Sequence, residues 1–492
     1  MLRTALLALA VSLLVSCSHA DKVDDTVVHV DGGRVQGTAW HGSLVFRGIP
    51  FAAPPVGRLR WKPPQPVRPW TGVRTSQERP APCAQADEGW NHRDVIDDSE
   101  DCLTLDVRTP SRVARLPVLV WIHGGSNRAG DPDDFVLSDV GRHAVVVGIR
   151  YRLGIFGFLS HPALTAEQGA SGNYGLMDQI AALTWVQRNI AAFGGDPANV
   201  TLVGESAGAQ DVGLMLAAPA AQSLFRKAIM ESGTPGLGLP FRPLEQAERL
   251  GDQADALLGT HGDLAAMRRA PTASLLRVDG RLHDDALVSD GFLWSRITID
   301  GSVFTTSPQD LLEHASVKPV IIGSNAVELG LPGGSGSRDD FVAKAFGRRT
   351  AAARAFYRLD APDPPVDPRL GARDQQIATD VTFRCPAERL AGILAERGAP
   401  VWHYEFDAAP GGDRTAHAGE LAYAFGSATF GKGLSLKPYW LDFIRTGDPN
   451  GDGLPRWDPS TPQRPGHVLF SAAGVTEEGP LRPAVCSLLD RI

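Results

Sequence analysis

Val200-Thr-Leu-Val203-Gly204-Glu205-Ser206-Ala207-Gly208, followed by a helix-permissive run over 209–217, decides the reading of this chain. A short apolar strand runs into a glycine-flanked serine and then into a helix. That is the strand–turn–helix setting of a nucleophile elbow, where a sharp turn exposes a serine hydroxyl beside a helix amino terminus. Glycines on both sides let the backbone turn tightly and come close to its neighbours. The five-residue pattern is only moderately specific, since an ordinary glycine turn also satisfies it. The flanking strand and helix give it its weight.

Outward from this stretch, apolar runs of strand length alternate with helical patterns. Leu116-Pro-Val-Leu-Val-Trp-Ile122, Ala144-Val-Val-Val-Gly-Ile149, Pro319-Val-Ile-Ile322 and the run over 401–406 read as buried strands. Residues 177–193 read as a helix, because Ile180, Leu183, Val186, Ile190 and Phe193 recur at three- to four-residue spacing before Gly194-Gly195. Such alternation is the signature of a parallel sheet covered by helices, an α/β fold. Residues 235–300 mix amphipathic helices with polar loops. Residues 331–368, rich in Gly, Pro and charge, are expected to form a variable cap. With no internal repeat and no linker, 28–489 reads as one large domain.

A serine hydroxyl is a weak nucleophile until a base takes its proton. In this architecture the chain order is Ser, acid, His. Six histidines follow Ser206: His261, His283, His314, His403, His417 and His467. His417 lies on a loop after a late strand, in Thr415-Ala-His417-Ala-Gly-Glu420, as the base should. His403 lies inside that strand, where packing or a hydrogen bond is the expected role. The acid should follow an earlier strand: Glu328 does, in Gly323-Ser-Asn-Ala-Val-Glu328, with Asp339 and Asp340 as rivals on the same long loop. Trp121-Ile-His-Gly-Gly-Ser126 places a glycine-rich turn after a strand. Its backbone N–H groups, with that of the residue after the serine, can hold a tetrahedral oxyanion.

The chain has 492 residues and a formal net charge of −8. Gly and Pro make up roughly 18% of it, below the roughly 25–30% that marks low complexity. The acidity argues against nucleic acid, whose binders carry basic patches. His and Cys do not cluster at metal-ligand spacing. Asp448-Pro-Asn450-Gly-Asp452-Gly453 mimics the start of a calcium loop, but its twelfth position is Pro459 where a bidentate Glu is required. At the amino terminus, Met1-Leu2-Arg3 and the apolar run over 4–15 form an export signal, too short for a permanent membrane helix. It ends Leu14-Val15-Ser16-Cys17, like a bacterial lipobox. This predicts a signal peptide over 1–17, lipidation at Cys17, membrane attachment through that lipid and a place in the cell envelope. Plain cleavage after Ala20, giving a secreted protein, is the alternative.

Several longer stretches carry a family resemblance: Phe46-Arg-Gly-Ile-Pro-Phe-Ala-Ala-Pro-Pro-Val-Gly-Arg-Leu-Arg60, Ser99-Glu-Asp-Cys-Leu103, Tyr151-Arg-Leu-Gly-Ile-Phe-Gly-Phe158, Gly172-Asn-Tyr-Gly-Leu-Met-Asp178 and Thr446-Gly-Asp-Pro-Asn450. With the serine elbow, they make the chain resemble the type B carboxylesterases over nearly all of 28–489. The resemblance implies an α/β-hydrolase fold with no cofactor, and a small-molecule ester as substrate. It implies a triad of Ser206, Glu328 and His417, with oxyanion donors at Gly125, Ser126 and Ala207. Ser232, in Met230-Glu-Ser-Gly233, matches a serine that supports the acid, and Glu205 precedes the nucleophile. Arg60 with Glu100, and Arg152 with Asp178, resemble the family's structural ion pairs. Cys83–Cys102 and Cys385–Cys486 resemble its disulfides, which leaves Cys17 as the unpaired fifth cysteine. The usual Asp-Glu-Gly around the acid is Val327-Glu328-Leu329 here. Ser126 and Asn127 stand where aromatic residues are frequent, which predicts a differently shaped pocket mouth. An amidase or carbamate hydrolase with the same triad, or a silent binding module, are the alternative functions.

Overall fold

A computed structural model describes residues 25–408 and 415–489. The signal segment, Cys17 and the alternative cleavage site lie outside the described residues. Among the described residues, eleven strands form one sheet. In chain order they are β1 (Thr38–Trp40), β2 (Ser43–Pro50), β3 (Thr104–Thr109), β4 (Leu116–Ile122), β5 (Val145–Ile149), β6 (Gly195–Glu205), β7 (Lys227–Glu231), β8 (Val320–Asn325), β9 (Val401–Asp407), β10 (His467–Ser471) and β11 (Gly474–Glu478). Across the sheet the order is β11-β10-β9-β8-β7-β6-β4-β5-β3-β2-β1. The strands from β10 to β5 in that order pair in parallel, and the two margins turn antiparallel. This is the large, mostly parallel, helix-flanked sheet of an α/β-hydrolase fold.

Side-chain alternation explains why both faces are covered. In β4, Val118, Val120 and Ile122 enter one core cluster, and Leu119 and Trp121 enter the other. Ala228 and Met230 of β7 likewise oppose Ile229, and Val320 and Ile322 of β8 oppose Ile321. A period of two with apolar residues on both faces needs helices on both sides. Helix α1 (Tyr174–Asn189) covers the first face with Leu176, Leu183 and Val186. It starts earlier than the spacing predicts, and a 3₁₀ turn over Ile190–Phe193 ends it at Gly194. Helix α2 (Ala207–Ala217) starts directly after Ser206 and is buried along its whole length.

Strand β7, beside the elbow strand, is one of the elements that sequence patterning does not reveal. Its three apolar residues lie between Lys227 and Glu231, both buried. The charged ends find internal partners: Lys227 Nζ donates to Asn199 Oδ1 and to the Ile444 carbonyl, and Glu231 Oε1 accepts from Trp440 Nε1 at 3.1 Å.

The expected cap over 331–368 is corrected by the structure. This stretch forms α3 (Arg338–Phe346) and α4 (Thr350–Tyr357), whose apolar faces fill a separate small core with Ile377, Val381, Cys385 and Val485. That core includes the Cys385–Cys486 disulfide. None of residues 331–368 lines the large cavity at the carboxyl edge of the sheet. Three further helical elements complete this side: α5 (Arg373–Thr379), the π-helix Asp380–Arg384 and α6 (Cys385–Glu396). Helix α7 (Lys437–Thr446) packs on the other face of the sheet.

Candidate active site

Register places the candidate residues along one edge. Ile122 of β4 pairs with Gly204 of β6, Gly204 with Met230 of β7, and Glu231 of β7 with Gly323 of β8. The carboxyl ends of these strands therefore lie side by side, where open α/β sheets bind ligands. The Gly124–Ser126 turn, Ser206, Ser232, Glu328 and His417 all follow strand ends at that edge.

Ser206 sits between β6 and α2 with φ 57° and ψ −125°. A residue with a β-carbon adopts this conformation only at a cost, and the surroundings must enforce it. They do so with backbone. The Ser206 N–H donates to the Glu231 carbonyl at 2.9 Å. A β-carbon on Gly208 would lie 2.1 Å from the Ile122 carbonyl oxygen, and one on Gly204 would lie 2.4 Å from Gly208. The elbow thus closes only because both positions are glycine. Ser126, Asn127, Ser232 and Ala418, all beside the same site, also have positive φ.

Glu328 and His417 meet on the other side. His417 Nδ1 lies 2.6 Å from Glu328 Oε2. Glu328 Oε1 accepts from Ser232 Oγ at 2.6 Å and from the Asn325 N–H at 2.7 Å. His417 Nε2 faces Glu205 Oε1 at 3.2 Å. Glu420 accepts from Asn325 Nδ2 at 2.5 Å, and Glu231 lies fully buried behind it. Burial pushes the carboxyls of Glu205, Glu231 and Glu420 up from the ordinary glutamate range, because desolvation penalises the charged form. Burial would lower the imidazole of His417, but the charge of Glu205, the hydrogen bond and charge of Glu328, and Glu420 outweigh it and hold it at about 9.

The rival acids are elsewhere. Asp339 and Asp340 lie on α3, exposed, paired with Arg354 and Lys344. His403 is buried beside Glu388 at 3.4 Å, within the strand, away from this cavity.

Gly125 and Ser126 line a cavity of about 1060 Å³ that also holds Ser206, Glu205 and His417. Their N–H groups, and that of Ala207, donate to no acceptor among the described residues. The turn is pinned from beneath. Tyr151 Oη donates to the His123 carbonyl at 2.8 Å and lies 3.2 Å from Asn127 Oδ1, and Asn127 Nδ2 reaches Asp211 of α2 at 3.2 Å. Asn127 is therefore a buried strut beneath the turn, while Ser126 lines the cavity. Trp121 stacks on Phe135 with centroids 3.9 Å apart, Phe425 packs edge-on against both, and Trp90, 64% exposed, stands at the rim. Sequence reading missed this aromatic wall, because Trp90, Phe135 and Phe425 come from three unrelated loops and helices.

The pairs assigned to scaffold are in place: Arg60–Glu100 at 2.5 Å and Arg152–Asp178 at 2.8 Å, both buried. Cys83 is bonded to Cys102, and Cys385 to Cys486.

A family model described as the carboxylesterase family matches residues 24–484. The chain belongs to the carboxylesterase family. It is similar to a fumonisin B1 esterase of Sphingopyxis macrogoltabida, at 34% identity over 486 residues, covering 89% of this chain and 85% of that protein. It is also 34% identical over 500 residues to the cocaine esterase of Homo sapiens, covering 89% and 85% of the two chains. A solved PNB esterase superposes with a TM-score of 0.81 at 30% identity, over 95% of this chain and all of the other. The protein is thus a carboxylic ester hydrolase of α/β-hydrolase fold. Its two disulfides suggest an exported protein, since such bonds persist in oxidising compartments. No helix among the described residues is long and apolar enough to cross a membrane.

Proposed function

We propose that this carboxylesterase works through an acyl-enzyme on Ser206, with His417 as general base and acid and Glu328 as its orienting carboxylate. The observation that carries this reading is a strained serine elbow opening into the same cavity as a histidine whose far nitrogen is held by a buried glutamate. Ser206 Oγ attacks the ester carbonyl while His417 Nε2 takes its proton, having exchanged its contact with Glu205 for the hydroxyl. The N–H groups of Gly125, Ser126 and Ala207 receive the oxyanion. The imidazolium returns the proton to the departing alcohol, and water repeats the sequence to release the acid. Glu328 stabilises the imidazolium at each stage.

The aromatic wall supports esters with a bulky apolar portion. A p-nitrophenyl ester chain-length series on the wild type and Ser206→Ala tests the proposal. The alanine variant is expected to lose on the order of 10⁶ in kcat. Activity surviving in it removes the acyl-enzyme, and a maximum at the shortest acyl chain removes the bulky-substrate reading.

The amino-terminal segment supports a lipid on Cys17, anchoring the exported enzyme to a membrane surface. Mass spectrometry of the mature protein checks this: an unmodified start at Asp21 overturns it.

A further inference from the structure

Helix α5 does not run straight into α6. The five residues between them wind as a π-helix, and all five are buried. In an α-helix at 3.6 residues per turn, Arg384 would be rotated by roughly 140° from Thr379. Thr379, the last residue of α5, and Phe383 are four apart and share one side as in any helix, and the wider i→i+5 winding brings Arg384 nearer to that side. That side faces the acid and the base. Thr379 Oγ1 accepts the Glu328 N–H at 3.1 Å. The Phe383 ring packs on the His417 imidazole, with centroids 5.0 Å apart and planes 49° apart. Arg384 Nη2 donates to the Ala326 carbonyl at 2.6 Å, two residues before Glu328, while its Nε reaches Glu405 at 2.9 Å and its Nη1 pairs with Asp380.

We infer that the junction of α5 with this π-turn positions the acid–base pair, with Thr379 as a positioning residue for Glu328 and Phe383 as one for His417. The inference rests on the triad reading above and adds what holds two of its members. The Glu328 carboxylate is fixed by Ser232 and Asn325, but its backbone lies in a buried loop with an N–H that needs an acceptor. Thr379 supplies it. Without that bond the carboxylate shifts relative to Nδ1, and a misplacement of the order of 1 Å at such a pair costs on the order of 10²-fold in rate. Phe383 covers part of the imidazole with its ring. Glu205, Glu328 and Glu420 are the ionisable groups facing His417, with Glu231 and Tyr404 behind them.

The test uses the full enzyme, active-site titration and kcat against pH with a p-nitrophenyl ester. Thr379→Val keeps the shape and removes the acceptor. Its kcat per titrated site is expected to fall on the order of 10–100-fold with KM nearly unchanged. Its ascending limb should move to lower pH, because a displaced Glu328 stabilises the imidazolium less. Thr379→Ser, which keeps the hydroxyl, should restore both. Phe383→Leu should move the limb the opposite way, since admitted solvent relieves the burial that lowers the imidazole. An unmoved limb in Thr379→Val overturns the inference, whether or not kcat falls, as does a serine variant no better than the valine. If Thr379→Val does not fold, the Phe383→Leu limb decides alone. Glu328→Gln in the same assay separates the two levels. Wild-type turnover there overturns the triad reading, whereas an inactive Glu328→Gln beside a wild-type Thr379→Val overturns only the π-turn.

Discussion

The two sides of the cleft are built differently. Ser206 is shaped by glycines two residues away and by the main chain of the adjacent strand, so its geometry is almost entirely a matter of backbone. Glu328 and His417 stand 89 residues apart, and side chains from still other segments bring them together: Ser232 after β7, Asn325 at the end of β8, and Thr379 and Phe383 around the π-turn. A backbone-held group fails by not fitting, whereas a side-chain-held group fails by degrees.

That contrast can be broken or sharpened by substitution. The largest effect is expected from Glu328→Gln, which keeps the fold but should lower kcat on the order of 10⁴-fold, read by steady-state kinetics. Gly208→Ala tests the backbone side. Its new methyl meets the Ile122 carbonyl oxygen at 2.1 Å, so a loss of about 3 kcal/mol or more is expected in a denaturant melt, with activity falling alongside. A stable Gly208→Ala enzyme would show the elbow to be less constrained than its contacts imply. Ser232→Ala removes one of two hydrogen bonds to Glu328 Oε1, and its kcat should fall about tenfold, equivalent to about 1.4 kcal/mol.

Glu205→Gln acts through charge. The base form of His417 is the neutral one, and Glu205 helps hold the imidazole at about 9, so activity in the wild type should rise with pH through that region. Neutralising Glu205 removes an attraction for the cation and should move the ascending limb of kcat down by about one to two pH units. An unmoved limb would mean that Glu205 is itself already neutral. The smallest effect is expected from Asp339→Asn and Asp340→Asn. These exposed residues of α3 touch nothing in the cavity, and their ester kinetics should stay within about 0.5 kcal/mol of the wild type.

The elbow was legible because its pattern is local: an apolar strand, two glycines and a helix start lie within a dozen residues, although distant main chain from β4 and β7 helps enforce its shape. The parallel strands β4, β5 and β8 were legible for the same reason, as unbroken apolar runs, whereas β7, bounded by Lys227 and Glu231, was not. The acid followed from chain order only as one of three, and the family resemblance singled out Glu328. The structure then places Asp339 and Asp340 on an exposed helix. Glu420 was in view three residues past His417, but nothing in its spacing indicated that it would turn inward to Asn325.

By itself the sequence determined the sheet-and-helix architecture, the strained serine and the family, since each rests on short-range pattern or on long matched stretches. Tertiary structure alone decided the rest. It made 331–368 a separate core and not a cap, assembled an aromatic wall from unconnected segments, and set three glutamates around one imidazole with a fourth behind them. It also joined a helix to a π-turn so that Thr379, Phe383 and Arg384 reach the Glu328 loop and His417. Those features depend on which distant surfaces meet. A side chain's partner across the fold is fixed by sheet order and helix packing, and neither is written in local periodicity.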